Sequence, residues 1–338
     1  MVNSPHAGMA QGCYVLADIG GTNARFAWVE PGSAHLQCIE RYTCADFAHF
    51  EEALQAYLER LRAEAAPKPV SVCLAVAASV HDDHVRMTNS PWQFSRRALA
   101  TLLGLPLHVL NDFSAQAWCL PLLAPGLPAV LGADSVQWWQ SGHSPADLPA
   151  TRTIVGPGTG FGAATMSAHG DVLESEPGHV SFAPVTLHEV ALLKQLWQRY
   201  PRVSVEHLLS GPGLANLYWA NSRLQGGEKE LPAAEIVAGA LHGEALCQES
   251  VTDFTGILGS VCGDIALSMG SLGGLFLSGT MLEKMEPVFN KALFMARFLD
   301  KGPFTDWCSQ VPVARLCLPY PGLTGCALFS RTNHASLD

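Results

Sequence analysis

The sequence predicts an α/β protein built as two halves that share a cleft, each half giving one glycine hairpin to it. Three observations lead there. Apolar runs of strand character alternate along the chain with stretches of helical periodicity, as layered α/β domains require. A strand–glycine turn–strand segment occurs twice, as DIGGTNARFA from residue 18 and as GPGTGFGAAT from residue 156, so the chain reads as a duplication. With 338 residues, of which 48% are hydrophobic and 15% charged, the chain can bury two cores and is no disordered tail.

Residues 1–12 (MVNSPHAGMAQG) have no basic start and no apolar run, so they read as a loose tail rather than a signal peptide. Residues 13–30 (CYVLADIGGTNARFAWVE) are two apolar runs about a Gly-Gly turn, hence a hairpin. Over residues 46–64 a helix would place Phe47, Phe50, Leu54, Tyr57, Leu58 and Leu61 on one face. Residues 69–78 (PVSVCLAVAA) form a continuous β-type run, as a central strand buried on both faces would. A short helix follows over 95–103, then a strand over 107–110 that ends at Asn111-Asp112, with a helix from Phe113.

Residues 115–133 are mostly apolar but contain Pro121, Pro125 and Pro128, so they must turn and cannot span a membrane. The Pro- and Gly-rich stretch 123–150 reads as an irregular crossover between the halves. A second hairpin is expected over 153–166 and a helix over 190–200. A turn at SGPG, residues 210–213, leads into a helix over 214–224. Residues 233–270 are Ala-rich and read as one long helix. A short buried strand over 274–278 ends at Gly279, and a glycine-containing helix over 322–330 is expected to pack closely on a neighbour.

Charge narrows the partners. Thirty acids against twenty bases give a net charge of −10, and no Lys/Arg block is longer than Arg96-Arg97. A nucleic-acid backbone or an anionic membrane would be repelled, so neither is an expected partner. None of the ten cysteines stands in C-x-x-C spacing. They read as small core residues in a reducing compartment, which implies a cytoplasmic protein.

Gly20 and Gly21 lack Cβ atoms and permit positive φ, so successive N–H groups can aim at one anion. Thr22 and Asn23 add side-chain donors. Asp18 would repel a bare phosphate, which makes sense if Mg2+ lies between them. A tight turn explains two glycines alone, but not D-x-G-G-T-N-x-R between two strands. The second turn, residues 156–162, has G-x-G-x-G-x-G spacing and is followed by a second strand and a His-Gly-Asp turn. That argues against a dinucleotide-binding unit, which needs G-x-G-x-x-G and a helix, although Glu176 lies at a suitable distance. No Gly-Lys-Ser/Thr loop occurs, and Asp112-Phe113-Ser114 only imitates the protein-kinase triplet.

Asn111-Asp112 closes a strand and opens a helix. Helix capping would explain an Asp there. The carboxyl end of a strand is also where ligands sit in α/β sheets. Asp112 could accept the proton of an attacking hydroxyl while Asn111 holds a neighbouring one, and phosphoryl transfer asks for little beyond positioning, charge neutralisation and such a base. Glu176 and His179 in EPGH, and Glu206 before SGPG, can pair with adjacent sugar hydroxyls. Taken singly, each is better explained as a surface polar residue.

DIGGTNAR, MTNSPWQFS, LNDFSA, GPGTGFG, EPGHVSFAP and VEHLLSGPGLANLY occur in that order. The set resembles bacterial glucokinases of the non-ROK type, within the hexokinase and actin-like ATPase superfamily, over about residues 13–330. The resemblance implies two ribonuclease-H-like (actin-like ATPase) α/β domains flanking a central cleft, each on a five-stranded sheet. The small domain would be 13–122 plus 317–338 and the large one 123–316. It further implies transfer of the terminal phosphate of ATP to the 6-hydroxyl of glucose, with Asp112 as general base. Asn111, Asp112, Glu176, His179 and Glu206 fall on glucose-binding positions. Ala17, Asp18, Ile19, Gly20, Gly21, Thr22 and Asn23 fall on the first phosphate loop, with Asp18 toward Mg2+. Gly158, Thr159 and Gly160 fall on the second loop, and Gly279 on the adenosine turn. A homodimer is implied as well.

The chain departs from that family pattern at Ser278-Gly279-Thr280, which bears on contacts to the nucleotide base. It departs again at Ala78-Ser79-Val80-His81-Asp82, which bears on sugar preference, and at Pro177, which stiffens its loop. A kinase for another hexose or amino sugar, and a sugar-binding regulatory protein with little turnover, fit the same residues.

Overall fold

The computed structural model describes residues 12–87, 92–123, 135–140 and 150–334. The expected N-terminal tail up to residue 11, residues 88–91 of the MTNSPWQFS stretch, and most of the expected crossover (124–134 and 141–149) lie outside the described residues. The chain divides into two compact units, Met1–Pro121 with Pro319–Asp338, and Leu122–Leu318.

The first unit begins with the expected hairpin. β1 (Cys13–Ile19) and β2 (Asn23–Val29) pair antiparallel with Asp18 directly opposite Arg25, and β3 (Gln37–Thr43) extends the ladder. Alternation sorts the β1 side chains between two faces. Val15, Ala17 and Ile19 join one apolar cluster, and Tyr14 and Leu16 join the other. α1 (Phe50–Ala63) starts four residues later than the periodicity suggests, because His49 caps it together with Glu52 and Phe47 is still extended. Phe50, Leu54, Tyr57 and Leu61 form its buried stripe.

β4 (Pro69–Val76) runs parallel to β1, with six of its eight residues buried, as expected for a strand covered on both faces. β5 (His84–Arg86) and β6 (Gln93–Ser95) make a small ribbon. α2 (Arg96–Leu103) is capped by the Ser95 hydroxyl and closed by Gly104 at φ 61°. β7 (Leu107–Asn111) pairs parallel with β4, and α3 (Asp112–Ala117) follows directly. The sheet order is β3-β2-β1-β4-β7.

The second unit contains β8 (Val136–Gln140), β9 (Arg152–Pro157), β10 (Phe161–Met166), β11 (Val172–Ser175), α4 (Leu187–Leu196), α5 (Gly211–Leu224), α6 (Ala233–Leu241), α7 (Ala245–Met269), β12 (Gly274–Leu277), α8 (Thr280–Met285), α9 (Lys291–Leu299), α10 (Thr305–Ser309) and β13 (Val313–Leu316). Its sheet runs β11-β10-β9-β12-β13-β8. The first five strands repeat the ladder of the first unit, three antiparallel strands followed by two parallel ones. The duplication visible in two short glycine segments is therefore a duplication of a whole sheet.

The expectation of five strands is corrected here. β8, inside the stretch read as irregular, pairs antiparallel with β13 as a sixth. Trp138 meets Phe276 edge-on, and the Gln140 amide donates to the carbonyls of Cys308, Ser309 and Val311. These contacts are long-range, so no local pattern announces the strand.

The single helix expected over 233–270 is two helices. Gly243, at φ 85°, turns the chain between α6 and α7, a conformation that glycine adopts without the Cβ penalty. The SGPG segment is likewise less a turn than a helix start, with Ser210 capping α5 through the Gly213 N–H.

The chain then returns to the first unit as α11 (Pro321–His334). Leu323, Cys326 and Ala327 of this helix are fully buried with Leu16, Ala27, Val29, Cys73 and Ala75. Each fully buried Leu contributes about 1.5–3 kcal/mol. The close packing expected here is present: a Cβ on Gly325 would stand 1.7 Å from the Ala115 carbonyl oxygen of α3. Eight of the ten cysteines are buried, and burial pushes the Cys13 thiol up to about 11 and the Cys119 thiol up to about 12. Such thiols are core residues with little thiolate character. Among the described residues no helix is long and apolar enough to cross a membrane.

Candidate functional site

In the first unit, β1 delivers Ala17, Asp18 and Ile19 to the hairpin turn at Gly20-Gly21-Thr22. The Gly20 N–H donates to the Asn23 carbonyl at 2.9 Å, and the Cys44 N–H donates to the Thr22 carbonyl at 2.9 Å, so both flanks of the turn are tied down. Neither Gly20 nor Gly21 has positive φ. What these glycines supply is a missing Cβ rather than a left-handed backbone. The Asn23 side chain accepts from Arg41 Nε at 3.0 Å.

Asp18 is held by two groups to which the sequence reading assigns no role. Arg25, its cross-strand neighbour, reaches it at 3.4 Å, with the Asp18 side chain 19% exposed. Gly322, in the first turn of α11, lies so close that a Cβ there would be 2.8 Å from the Asp18 carboxyl carbon. Burial pushes the Asp18 carboxyl up, and Arg25 opposes that shift. The N-terminal end of α11 adds positive potential on the same side. Arg25 was legible in principle: a hairpin turning between residues 21 and 22 sets residue 18 against residue 25. Gly322 was not, because it comes from the far end of the chain.

At the end of β7 the two neighbouring polar residues divide their tasks. Asn111, not Asp112, caps α3. Its Oδ1 accepts the N–H groups of Phe113 at 3.0 Å and Ser114 at 3.2 Å. Asp112 is the first helical residue, half-buried, with Oδ1 accepting the Phe113 N–H at 3.0 Å. Capping therefore does not explain Asp112. The Asn111 amide also donates to the Ala78 carbonyl at 3.4 Å, which joins it to the divergent loop after β4. An amide has a second N–H donor, suited to a substrate hydroxyl.

In the second unit, the turn between β9 and β10 carries Gly158, Thr159 and Gly160, with the Gly158 N–H closed onto the Gly160 carbonyl at 2.8 Å and Thr159 exposed. Glu206, in a 3-10 turn over Val205–His207, reaches this hairpin and accepts the Phe161 N–H at 2.9 Å. Glu176 precedes the 3-10 turn Pro177–His179 and His179 ends it; both are exposed. Pro177 occupies the first position of that turn, where its fixed φ fits. Gly178 presses on the hairpin, since a Cβ there would meet the Phe161 carbonyl oxygen at 2.3 Å. The structure thus brings Glu176, His179, Glu206 and the 158–160 turn together through Phe161, and places Asp18, Gly20–Thr22, Asn111 and Asp112 in the other unit.

Gly279, after β12, has φ 115° and ψ 144°, and a Cβ there would stand 2.9 Å from the Pro157 carbonyl oxygen. This backbone region belongs essentially to glycine. The divergent Ser278-Gly279-Thr280 segment has kept the one residue its geometry demands. Gly279→Ala is expected to cost about 1–3 kcal/mol of stability and to raise the KM for ATP more than that for sugar. Steady-state kinetics beside a urea melt checks both; wild-type values in each would mean that Gly279 matters neither to the fold nor to nucleotide binding.

Among the described residues no group of three His, Cys, Asp or Glu is placed to hold a metal ion. Mg2+ commonly keeps several waters and binds through one or two carboxylates plus substrate phosphates, so the lack of such a group does not count against Asp18 at the end of β1.

Comparison with known proteins identifies the family of the chain. The sequence model of the family described as Glucokinase matches residues 15–333. A glucokinase from Chromohalobacter salexigens is 40% identical over 317 residues, covering 92% of this chain and 95% of the relative. A crystal structure of glucokinase from an Antarctic psychrotroph is 36% identical, with a TM-score of 0.83, covering 95% of this chain and 99% of its own. At 19% identity, glucokinase from Balamuthia mandrillaris, solved in complex with glucose, shares the fold with a TM-score of 0.74 over 97% of this chain and 95% of its own.

Proposed function

This chain belongs to the glucokinase family, and from that premise we propose how its residues divide the transfer of the terminal phosphoryl group of ATP to glucose. Asp112 accepts the proton of the 6-hydroxyl as that oxygen attacks the terminal phosphorus. The bond from phosphorus to the bridging oxygen breaks and ADP leaves. The observation that carries this reading is the split at the end of β7, where Asn111 does the capping and a half-buried carboxylate stands beside it at a strand's carboxyl end. Asn111 holds a neighbouring hydroxyl. Glu176, His179 and Glu206 accept from and donate to the remaining hydroxyls, so a wrong epimer leaves a polar group unpaired.

The Gly20 and Gly158 N–H groups are used inside their turns, so the N–H groups of Gly21, Thr22, Thr159 and Gly160 would meet the phosphates, and Gly279 would shape the nucleotide end. Charge building on the transferred group is met by donors already in place. Exclusion of water, which otherwise competes as acceptor, is expected once both substrates are bound. A homodimer in the cytoplasm completes the reading.

Asp18 would hold Mg2+ on the protein side, where the ion would neutralise phosphate charge. Arg25 keeps that carboxylate oriented. A chelator is therefore expected to abolish turnover without shifting the melting temperature, and calorimetric titration with Mg2+ alone should give no heat of tight binding. A melt that falls on chelation would point to a structural ion instead.

The direct test is ADP release with Mg-ATP against glucose, mannose, fructose, N-acetylglucosamine and no sugar. Release with glucose well above the rest is expected. The bond from Asn111 to Ala78 ties the divergent loop to a sugar-binding side chain, and it favours one second reading, a preference for another hexose or amino sugar. Release led by another sugar would establish it. No release from folded protein would leave a sugar-binding regulator.

A further inference from the structure

Glu206 sits between two kinds of ligand site. Its Oε2 accepts the Phe161 N–H at 2.9 Å, the first amide after the 158–160 turn. Gly160 makes room for it: a Cβ there would stand 2.4 Å from Oε2 and 3.1 Å from the carboxyl carbon. The same segment grips the other side of the turn, because the Gly211 N–H donates to the Gly158 carbonyl at 2.8 Å. Glu206 is itself held from behind. The Ser210 hydroxyl donates to the Glu206 carbonyl at 2.8 Å and accepts the Gly213 N–H at 2.9 Å. Its neighbour His207 stacks on Tyr200 at 3.9 Å between ring centres, and His207 Nδ1 accepts the Ser204 N–H at 3.1 Å.

We infer that Glu206 is a positioning residue for the 158–160 phosphate turn, so that sugar binding and nucleotide binding are coupled through its carboxylate. The inference rests on the reading of Glu206 as a sugar contact. A carboxylate has two oxygens. With Oε2 on the Phe161 N–H, Oε1 is the one placed to accept from a hydroxyl. A hydroxyl on Oε1 fixes the rotation of the group, and with it the amide that ends the phosphate turn. The bond to Phe161 is charge-assisted, the stronger kind. Coupling is reciprocal, so a phosphate that orders the turn tightens sugar binding by the same factor.

The test compares wild type, Glu206→Ala, Glu206→Gln and Gly160→Ala. Each is melted, titrated with glucose with and without a non-transferable ATP analogue and Mg2+, and assayed for the KM of Mg-ATP at saturating glucose. In wild type the analogue should tighten glucose by about fivefold or more, within the usual range of coupling between sites. Glu206→Ala should weaken glucose, remove that tightening and raise the KM for Mg-ATP about tenfold. Glu206→Gln keeps an oxygen for the Phe161 N–H, so it should weaken glucose yet hold the KM for Mg-ATP within about threefold.

Weakened glucose in Glu206→Ala with unchanged KM for Mg-ATP and unchanged coupling makes Glu206 a sugar ligand only and overturns the inference. A raised KM for Mg-ATP with unchanged glucose affinity supports the positioning role while removing the sugar assignment. Should Glu206→Ala not fold, Gly160→Ala displaces the carboxylate with its charge intact. It should weaken both ligands, and wild-type values for both overturn the inference.

Discussion

Asp112→Asn is expected to lower kcat by about 10²–10⁴-fold, the range that a positioned general base supplies, with glucose binding retained. The amide is isosteric and can still accept the Phe113 N–H, which Asp112 accepts at 3.0 Å. Because the helix cap belongs to Asn111, the substitution leaves α3 its cap, and the melting temperature should stay at the wild-type value. What is lost is the capacity to take a proton. Calorimetric titration with glucose, a melt and a turnover assay on one preparation separate the outcomes. Near-normal kcat would mean that another group or water receives the proton. A lowered melt would mean that Asp112 serves the fold, as Asn111 does. Asn111→Ala provides the contrast: it should lose both sugar affinity and about 1 kcal/mol of stability, the usual cost of removing a cap.

Gly325→Ala is expected to have the largest effect on folding. A Cβ at that position would lie 1.7 Å from the Ala115 carbonyl oxygen and 2.5 Å from its carbon. Both atoms are main chain, so no side-chain rotation relieves the clash, and α11 must move off α3. Overpacking costs about 1–3 kcal/mol where side chains can adjust, and more where they cannot. At least about 3 kcal/mol is expected here, read as a fall in the urea midpoint or in soluble yield. Gly158→Ala is the control. Nothing lies within 4 Å of a Cβ at Gly158, so its melt should match wild type whatever happens to ATP. If Gly325→Ala melts like wild type, α11 does not pack on α3 as closely as described.

The parts legible in the sequence were those whose signal is local. The two hairpins, the short helix α2, and β4 as a continuous apolar run all follow from residues close in the chain. The same holds for Asp112 at the end of β7. The parts that were not legible depend on partners far away. β8 becomes a strand because β13, far along the chain, offers it an edge. Phe47 looks helical by spacing, but the His49–Glu52 cap starts the helix after it. Gly243 sits in an Ala-rich run whose periodicity continues across it, so only its φ reveals the break. At the candidate site the loops could be named from motifs, whereas the contacts that hold them could not. Gly322 against Asp18, Gly178 against Phe161 and Glu206 beneath Gly160 are close approaches of segments that share no local pattern.

The return of α11 to the first unit has a consequence for synthesis on the ribosome. Cys119 and Pro321 are 202 residues apart and in contact, so the face of β1, β2 and β4 formed by Leu16, Ala27, Val29, Cys73 and Ala75 has only Ala115 of α3 and lacks α11 when it first emerges. At about 5–20 residues per second the helix that covers it follows roughly 10–40 s later. The second unit, whose segments are contiguous, can collapse in that interval. The first must wait, apolar side outward, for the last helix to be made. A nascent chain stalled before residue 321 should therefore bind a hydrophobic dye or a chaperone through its oldest part, and release it once α11 is added.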